Sequence, residues 1–410
     1  MLNLPFFIAR RYLLRQKGAF SSFIIRLAIA STAISVMTMI MAVAFVTGFK
    51  YEVREKLFSF WGHIHIEPRT MNNNSIITSD PTNRDPAMEQ KILHTPHVVS
   101  LTPFAVKPAI INSRQAIEGI ALKGVTKDYH LPAGVDFTGR QINFDDSDYA
   151  KEIILSEVTA QRLEVKPGDD LKIYFVESSS TLPRIRKVKV AGIYHTGMEE
   201  VDKAYALCDL RLLQRINNWQ PNQINGYQIS IDNEKLADTL SWQIFDNYLQ
   251  PPLTTYTMMD IFPNLFDWLN LQDVTTNVFI SIMAIVAIIN LAVVLLILIV
   301  EQVRMVGILK AQGMTMRSMQ KIFLYHAGLI AIAGVVIGDL LAFGLCWLQK
   351  TTGFMKLSEA SYSLKYVPIK LHWWQPLIVN LATIVLCILC MWLPSLYIRR
   401  IQPARVLQFK

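Results

Sequence analysis

Apolar residues in this chain gather into four long runs: 23–49 near the start, then 276–300, 322–348 and 376–398 close together in the last third. Between the first and second lies a mixed polar and apolar stretch, 50–275. About 20 apolar residues in a helix cover the roughly 30 Å hydrocarbon core of a bilayer, so each run predicts a transmembrane helix. The second is the cleanest, with Asn290 as its strongly polar group. Water cannot reach peptide groups in hydrocarbon, and a helix pairs them all internally. The third run carries His326 and Asp339. The first is far longer than the roughly 7 to 15 apolar residues of a signal peptide, and it is expected to remain in the protein.

The stretch 50–275 changes period repeatedly. Alternation and β-branched residues predict strands at 63–66, 98–111, 118–122, 153–155, 171–175, 188–193 and 227–231. Helical spacing predicts helices at 156–163, opened by Ser156 as a cap, and at 208–217 and 234–248. Residues 166–169 read as a turn, and 72–85, rich in Asn, Ser, Thr and Pro, as a loop. Helical pattern also continues past the first run over 50–60. It resumes before the second over 260–271, with Ile261, Leu265, Trp268 and Leu269 on one face. The expected fold is therefore four transmembrane helices in a 1+3 arrangement, with a large α+β domain rooted by two helical stalks between the first and second.

Charge orients this arrangement. Arg10, Arg11, Arg15, Lys17 and Arg26 precede or enter the first run. Arg304, Lys310, Arg317 and Lys321 lie between the second and third, and Arg399, Arg400, Arg405 and Lys410 follow the fourth. Basic residues in short loops stay on the cytoplasmic side. Segments 1–22 (amphipathic), 301–321 and 399–410 are thus expected inside, with 50–275 and the loop 349–375 outside. The net charge of +8 is a topology signal, spread along membrane edges with no nucleic-acid motif.

Little in the sequence points to catalysis. It contains no G-x-x-x-x-G-K-[ST] loop, no H-E-x-x-H and no G-x-S-x-G. His63 and His65 lie close together, but no third or fourth metal ligand accompanies them. Cys346, Cys387 and Cys390 fall inside predicted spans and Cys208 is alone in the outer stretch, so no disulfide framework is expected. Catalytic, cofactor and metal sites are expected to be absent. A carboxylate at membrane depth usually faces a partner. Asp339 is about 20 Å along a helix from His326, too far for a relay between them, so a helix-contact role is the favoured reading.

The segment 301–314 between the second and third runs is the best functional clue. Val303, Val306, Ile308 and Leu309 alternate with charges as in a short amphipathic helix, and Gly313 suits a C-terminal cap. Such a helix lies on lipid headgroups or docks into a groove on a cytoplasmic partner.

The same segment, with Gly307-Ile308-Leu309-Lys310-Ala311-Gln312-Gly313, resembles the coupling stretch of the FtsX-like, MacB-type ABC transporter permeases. The tail from Pro394 through Arg400 to Pro403 resembles their closing signature. Ala9 to Leu13, Gly48-Phe49, Gly62 to Ile66 and Val190 to Met198 are similar to further elements, in the expected order and nearest to the lipoprotein-releasing LolC/LolE type. The resemblance implies a MacB-type periplasmic core domain and a multi-pass protein of the bacterial inner membrane. It implies pairing with a second permease copy or paralogue, and with two cytoplasmic LolD-like ATPase subunits that hold the ATP and Mg. Glu301, Arg304, Gly307, Leu309, Lys310 and Gly313 would then form the coupling element. Lipoproteins drawn from the membrane would pass to a periplasmic LolA-like carrier, with Met37, Met39 and Met41 offering the substrate an adaptable surface. A MacB-like exporter of peptides or drugs and an FtsX-like regulator of cell-wall hydrolases remain alternatives. No carrier-binding element can be placed.

Overall fold

The computed structural model describes residues 7, 19–69, 81–113, 116–129, 131, 135–146, 148–175, 183–301, 303–358 and 364–397. Contacts divide the chain into two compact units. One is α+β, Tyr51–Leu269 with Leu357–Lys365; the other is helical, Met1–Lys50, Asn270–Lys356 and Tyr366–Lys410.

The α+β unit takes the last turns of α1 (Ala19–Trp61). There follow β1 (Ile64–Pro68), β2 (Thr82–Asn83), α2 (Pro86–Leu93), β3 (Val98–Asn112), β4 (Ile117–Val125), β5 (Asp136–Gly139), β6 (Glu152–Ser156) and α3 (Glu157–Leu163). Next come β7 (Asp170–Phe175), β8 (Arg184–His195), α4 (Glu199–Asp202), β9 (Tyr205–Asp209), α5 (Leu210–Asn217) and β10 (Gln223–Ile224). The unit closes with β11 (Gly226–Ile231), α6 (Ala237–Tyr248), β12 (Leu253–Thr257) and α7 (Met258–Ile261). The main sheet has the order β12-β1-β11-β3-β4-β9-β6-β8-β5, and β7 pairs with both β3 and β8. The strands β3, β4, β9, β6, β8 and β7 thereby close into a ring, in which only β4·β9 and β6·β8 are parallel. A closed ring leaves none of its strands as a bare edge.

Several strands of this ring are buried on both faces. Leu122, Ile153, Leu155, Ala206 and Cys208 belong to one apolar cluster. The alternate residues Ala121, Ile154, Tyr205 and Leu207 belong to a second, shared with Phe58, Phe60 and Trp61 of α1. The end of the helix is thus part of the domain's core. Gly62 turns the chain from α1 into β1 at φ 73°, where an added Cβ would stand 2.8 Å from the Ile229 carbonyl oxygen.

Burial on both faces also explains where the sequence pattern misleads. A helix is expected over 208–217, but Cys208 and Asp209 end strand β9, and Asp209 caps α5 by accepting from the Arg211 N–H. An uninterrupted apolar run does not distinguish a doubly buried strand from a helix. The expected helix 234–248 begins as a 3₁₀ turn, Glu234–Leu236, before α6. The expected helix 260–271 is interrupted: α7 ends at Ile261, and Pro263 opens the next helix, as proline at a first helical position does. Within the expected loop 72–85, Thr82 and Asn83 pair with β10 and Asp85 caps α2, while 72–80 lie outside the described residues. Ser156 does cap α3, accepting from the Thr159 N–H.

The helical unit holds most of α1 and of α8 (Pro263–Glu301), then α9 (Val303–Ala311), α10 (Met316–Thr352) and α11 (Trp374–Tyr397). Among the described residues three helical stretches are long and apolar enough to cross a membrane, Ser22–Trp61, Pro263–Ile289 and Arg317–Thr352; Trp374–Leu389 is a shorter apolar helix. The first four residues of the expected outer loop, 349–352, continue α10.

His63 and His65 have separate surroundings. The His65 ring is fully buried, with Nδ1 3.0 Å from Glu67 Oε1. His63 stacks on Phe58 with ring centroids 4.2 Å apart. Burial pushes the His63 imidazole down from 6.5 to about 4. As pH falls from 6.5 towards 4 the unfolded chain takes up a proton that the folded chain refuses, so stability falls across that window and levels off below it. The loss amounts to about 2–3 kcal/mol. Unfolding of the detergent-solubilised protein measured against pH should show this acid slope. His63→Phe, which keeps the stack and removes the titration, should flatten it.

Candidate functional site

The segment between α8 and α10 is one short helix, α9, whose C-terminal end is tightly capped. After α9 the Met314 N–H donates to the Leu309 carbonyl at 3.0 Å and the Gly313 N–H to the Lys310 carbonyl at 3.1 Å, with Gly313 at φ 86°. These are the two hydrogen bonds of a Schellman cap, which favours glycine because the left-handed conformation strains other residues. Two residues later Thr315 caps α10, its hydroxyl accepting from the Ser318 N–H. The backbone ends left over by one helix are therefore met before the next begins. Gly307 is buried, Leu309 and Lys310 are half-buried, and Ile308, Gly313, Arg317 and Lys321 are exposed. The side chains of Glu301 and Arg304 lie outside the described residues, as does that of Asn290.

Within the helical unit α1 and α10 approach closely. A Cβ on Gly334 would stand 2.7 Å from Thr32 Cβ, and one on Gly338 2.8 Å from the Ala33 carbonyl oxygen and 2.9 Å from Val36 Cβ. Small residues four apart let two helices touch backbone to side chain, which matters in lipid, where apolar burial gives little drive to association. Met39 is 1% exposed in a cluster with Val36, Ile40, Val335, Ala342 and Val379, and Met37 borders it. Met41 is half-buried. Lys50 of α1 pairs with Asp273 of α8 at 2.5 Å.

Asp339 has a partner of its own. Asn380 Nδ2 of α11 donates to Asp339 Oδ2 at 2.8 Å, joining two apolar helices through one polar contact. In the α+β unit the segment from Val190 to Met198 forms the end of β8 and a turn. The turn is held by the Asp202 carboxylate, which accepts from Thr196 N at 3.1 Å, Thr196 Oγ1 at 2.7 Å and Gly197 N at 3.0 Å. Burial raises the Asp202 carboxyl above its ordinary range, against the pull of these donors. Cys208, Cys346 and Cys387 are buried, and among the described residues no disulfide joins them. Among the described residues no three His, Cys, Asp or Glu side chains are grouped to hold a metal ion.

Residues 27–241 match the MacB-like periplasmic core domain, and residues 277–403 match the C-terminal domain of FtsX-like permeases. The chain belongs to the FtsX-like, MacB-type family of ABC transporter permeases. The permease is 23% identical to the lipoprotein-releasing system transmembrane protein LolE of Haemophilus influenzae, over 99% of each chain. It is 20% identical to the lipoprotein-releasing system transmembrane protein LolC of Xylella fastidiosa, over 98% of each. The solved periplasmic region of MacB from Actinobacillus actinomycetemcomitans matches 49% of the permease and 91% of that chain, with 14% identity and a TM-score of 0.35.

The α+β unit is accordingly the permease's periplasmic core domain, and it places the motif residues in structural turns. Gly334 and Gly338 carry a readable signal, the G-x-x-x-G spacing within an apolar run, which the reading of the sequence passed over. Asn380 carried none, because a lone amide in an apolar run does not reveal which helix faces it. The two glycines make a direct test. Gly338→Ala should destabilise the solubilised permease by about 1–3 kcal/mol through overpacking. Gly328→Ala on the same helix, whose methyl would meet nothing within 4 Å, should leave its stability unchanged or raise it by up to about 1 kcal/mol, the helix preference of alanine over glycine. Thermal unfolding in detergent compares the two.

Proposed function

We propose that this chain is the membrane subunit of an inner-membrane ABC transporter that releases lipoproteins, working with a separate pair of ATPase subunits and a second permease. The observation that carries the reading is the full-length match to two lipoprotein-releasing permeases, at 23% and 20% identity. The capped α9 segment supports it physically. A short helix whose C-terminal end is fixed by its cap can be pushed as a body, and displacement at α9 reaches α10 directly through the short capped turn between them. In this reading α11 is the fourth span, the basic segments lie in the cytoplasm, and Glu301, Arg304, Gly307, Leu309, Lys310 and Gly313 receive the ATPase. Met41 and Met37 remain open to a substrate while Met39 holds α1 to its neighbours.

α8 gives reason for a second permease. Val278, Ile282, Ile285, Ile289 and Val293 form an exposed apolar stripe at helical spacing, each at least 49% exposed. Lipid and a paired copy both suit such a face, and both belong to a permease pair in a bilayer.

Mass spectrometry of the complex purified in detergent tests the reading. An ATPase partner recovered together with triacylated proteins is the expected result. An outer-membrane efflux channel or a cell-wall hydrolase without lipoproteins would move the assignment to the exporter or the regulatory branch. Gly307→Asp places a carboxylate at a buried position of α9, where desolvation costs at least several kcal/mol. Lipoprotein-stimulated ATP hydrolysis and release should both fall about tenfold or more; full retention of both would show that α9 is not the docking element.

A further inference from the structure

Lys123 has none of its surface exposed, although it sits on β4 in a domain rich in solvent-facing positions for lysine. Among the described residues no carboxylate pairs with it. Its Nζ donates to the Phe60 carbonyl oxygen at 2.5 Å. Three aromatic rings surround the amine, with centroids at 4.1 Å for Trp61, 4.5 Å for Phe60 and 5.4 Å for Tyr129. Burial pushes the amine well below the usual lysine range. A methionine would fill the same space without that cost, so what lysine adds here is a donor.

The acceptor is informative. Phe60 lies in the last turn of α1, where carbonyls have no partner within the helix. Phe58 is met by the Gly62 N–H at 2.7 Å and Trp61 by His65 Nε2 at 2.7 Å. Gly62 follows α1 immediately in the chain, and His65 lies on β1, which pairs with β11 and β12. Lys123 comes from β4, inside the closed ring of strands, and adds a tie from the helix end to the ring itself.

We propose that Lys123 is a positioning residue whose hydrogen bond to Phe60 fixes the far end of α1 to the β4 strand, so that helix and sheet move as one piece. The proposal rests on the reading of the chain as a mechanically driven lipoprotein-releasing permease. The three rings enclose the amine and keep water from competing for the Phe60 carbonyl. Tyr129 contributes its ring alone, since its buried hydroxyl has no hydrogen-bond partner among the described residues.

The test uses the full-length chain with its ATPase partner in proteoliposomes and a labelled triacylated lipoprotein as probe. In Lys123→Met, hydrogen exchange of the amides of 60–63 should accelerate about tenfold, the equivalent of one lost hydrogen bond, with the rest of the domain protected as before. Lipoprotein released per ATP hydrolysed should fall by a similar factor while hydrolysis itself continues. Tyr129→Phe should leave both readouts unchanged. Unaltered exchange at 60–63 would overturn the tie, and faster exchange with normal release per ATP would overturn the positioning role. Should Lys123→Met not fold, Lys123→Gln, which keeps a shorter donor, is judged by the same two readouts. A wild-type complex that hydrolyses ATP without releasing the probe sinks the functional reading instead, and exchange alone then decides the tie.

Discussion

A helix that ends inside a folded domain must have its last carbonyls met there, because an unmet buried carbonyl costs about 1–3 kcal/mol. The outer end of α1 meets this requirement with three donors of different kinds: a backbone N–H from Gly62, an imidazole from His65 and an amine from Lys123. Much of the domain follows from it. The left-handed Gly62 sends the chain into β1, β1 lies between β11 and β12, and the aromatic residues of the helix end fill the second apolar cluster. The closed ring of strands supplies the rigid wall from which Lys123 reaches inward.

The helical unit answers a different constraint. Lipid is as apolar as leucine, so helices gain little by turning apolar faces to each other and rely on close approach and polar contacts. Gly334 and Gly338 supply the approach between α1 and α10, and Asp339 with Asn380 supplies the polar contact between α10 and α11. α10 is thereby engaged on two sides by unlike means, and its N-terminal end is set by the Thr315 cap directly after α9.

Features governed by local pattern could be read from the sequence, and those governed by distant partners could not. The long apolar runs lie within α1, α8, α10 and α11, apart from residue 398, which is outside the described residues. The strand spacing anticipated most of the α+β unit, and the family resemblance rested on turns such as Gly62 and Thr196-Gly197 that the fold uses. Closure of the ring by β7 was hidden, because pairing with β3 and β8 leaves no mark on the six residues of that strand. β9 was misread since both its faces are buried. Lys123 lies just past the expected strand 118–122, and alternation fixes a face without saying what covers it. Asp339 was visible as an anomaly, while its partner needed the packing of a second helix to emerge.

The neighbours of β1 carry a consequence for how the chain is made. β1 is synthesised just after the first helix, yet its partners β11 and β12 are among the last strands of the domain to be made. Until they arrive, an early strand with Ile64 and Ile66 waits unpaired, and contacts so distant in sequence form slowly. The newborn domain passes through a stage with an open edge, and protection from proteases and chance pairing at that moment depends on the speed of synthesis more than on the stability of the finished fold.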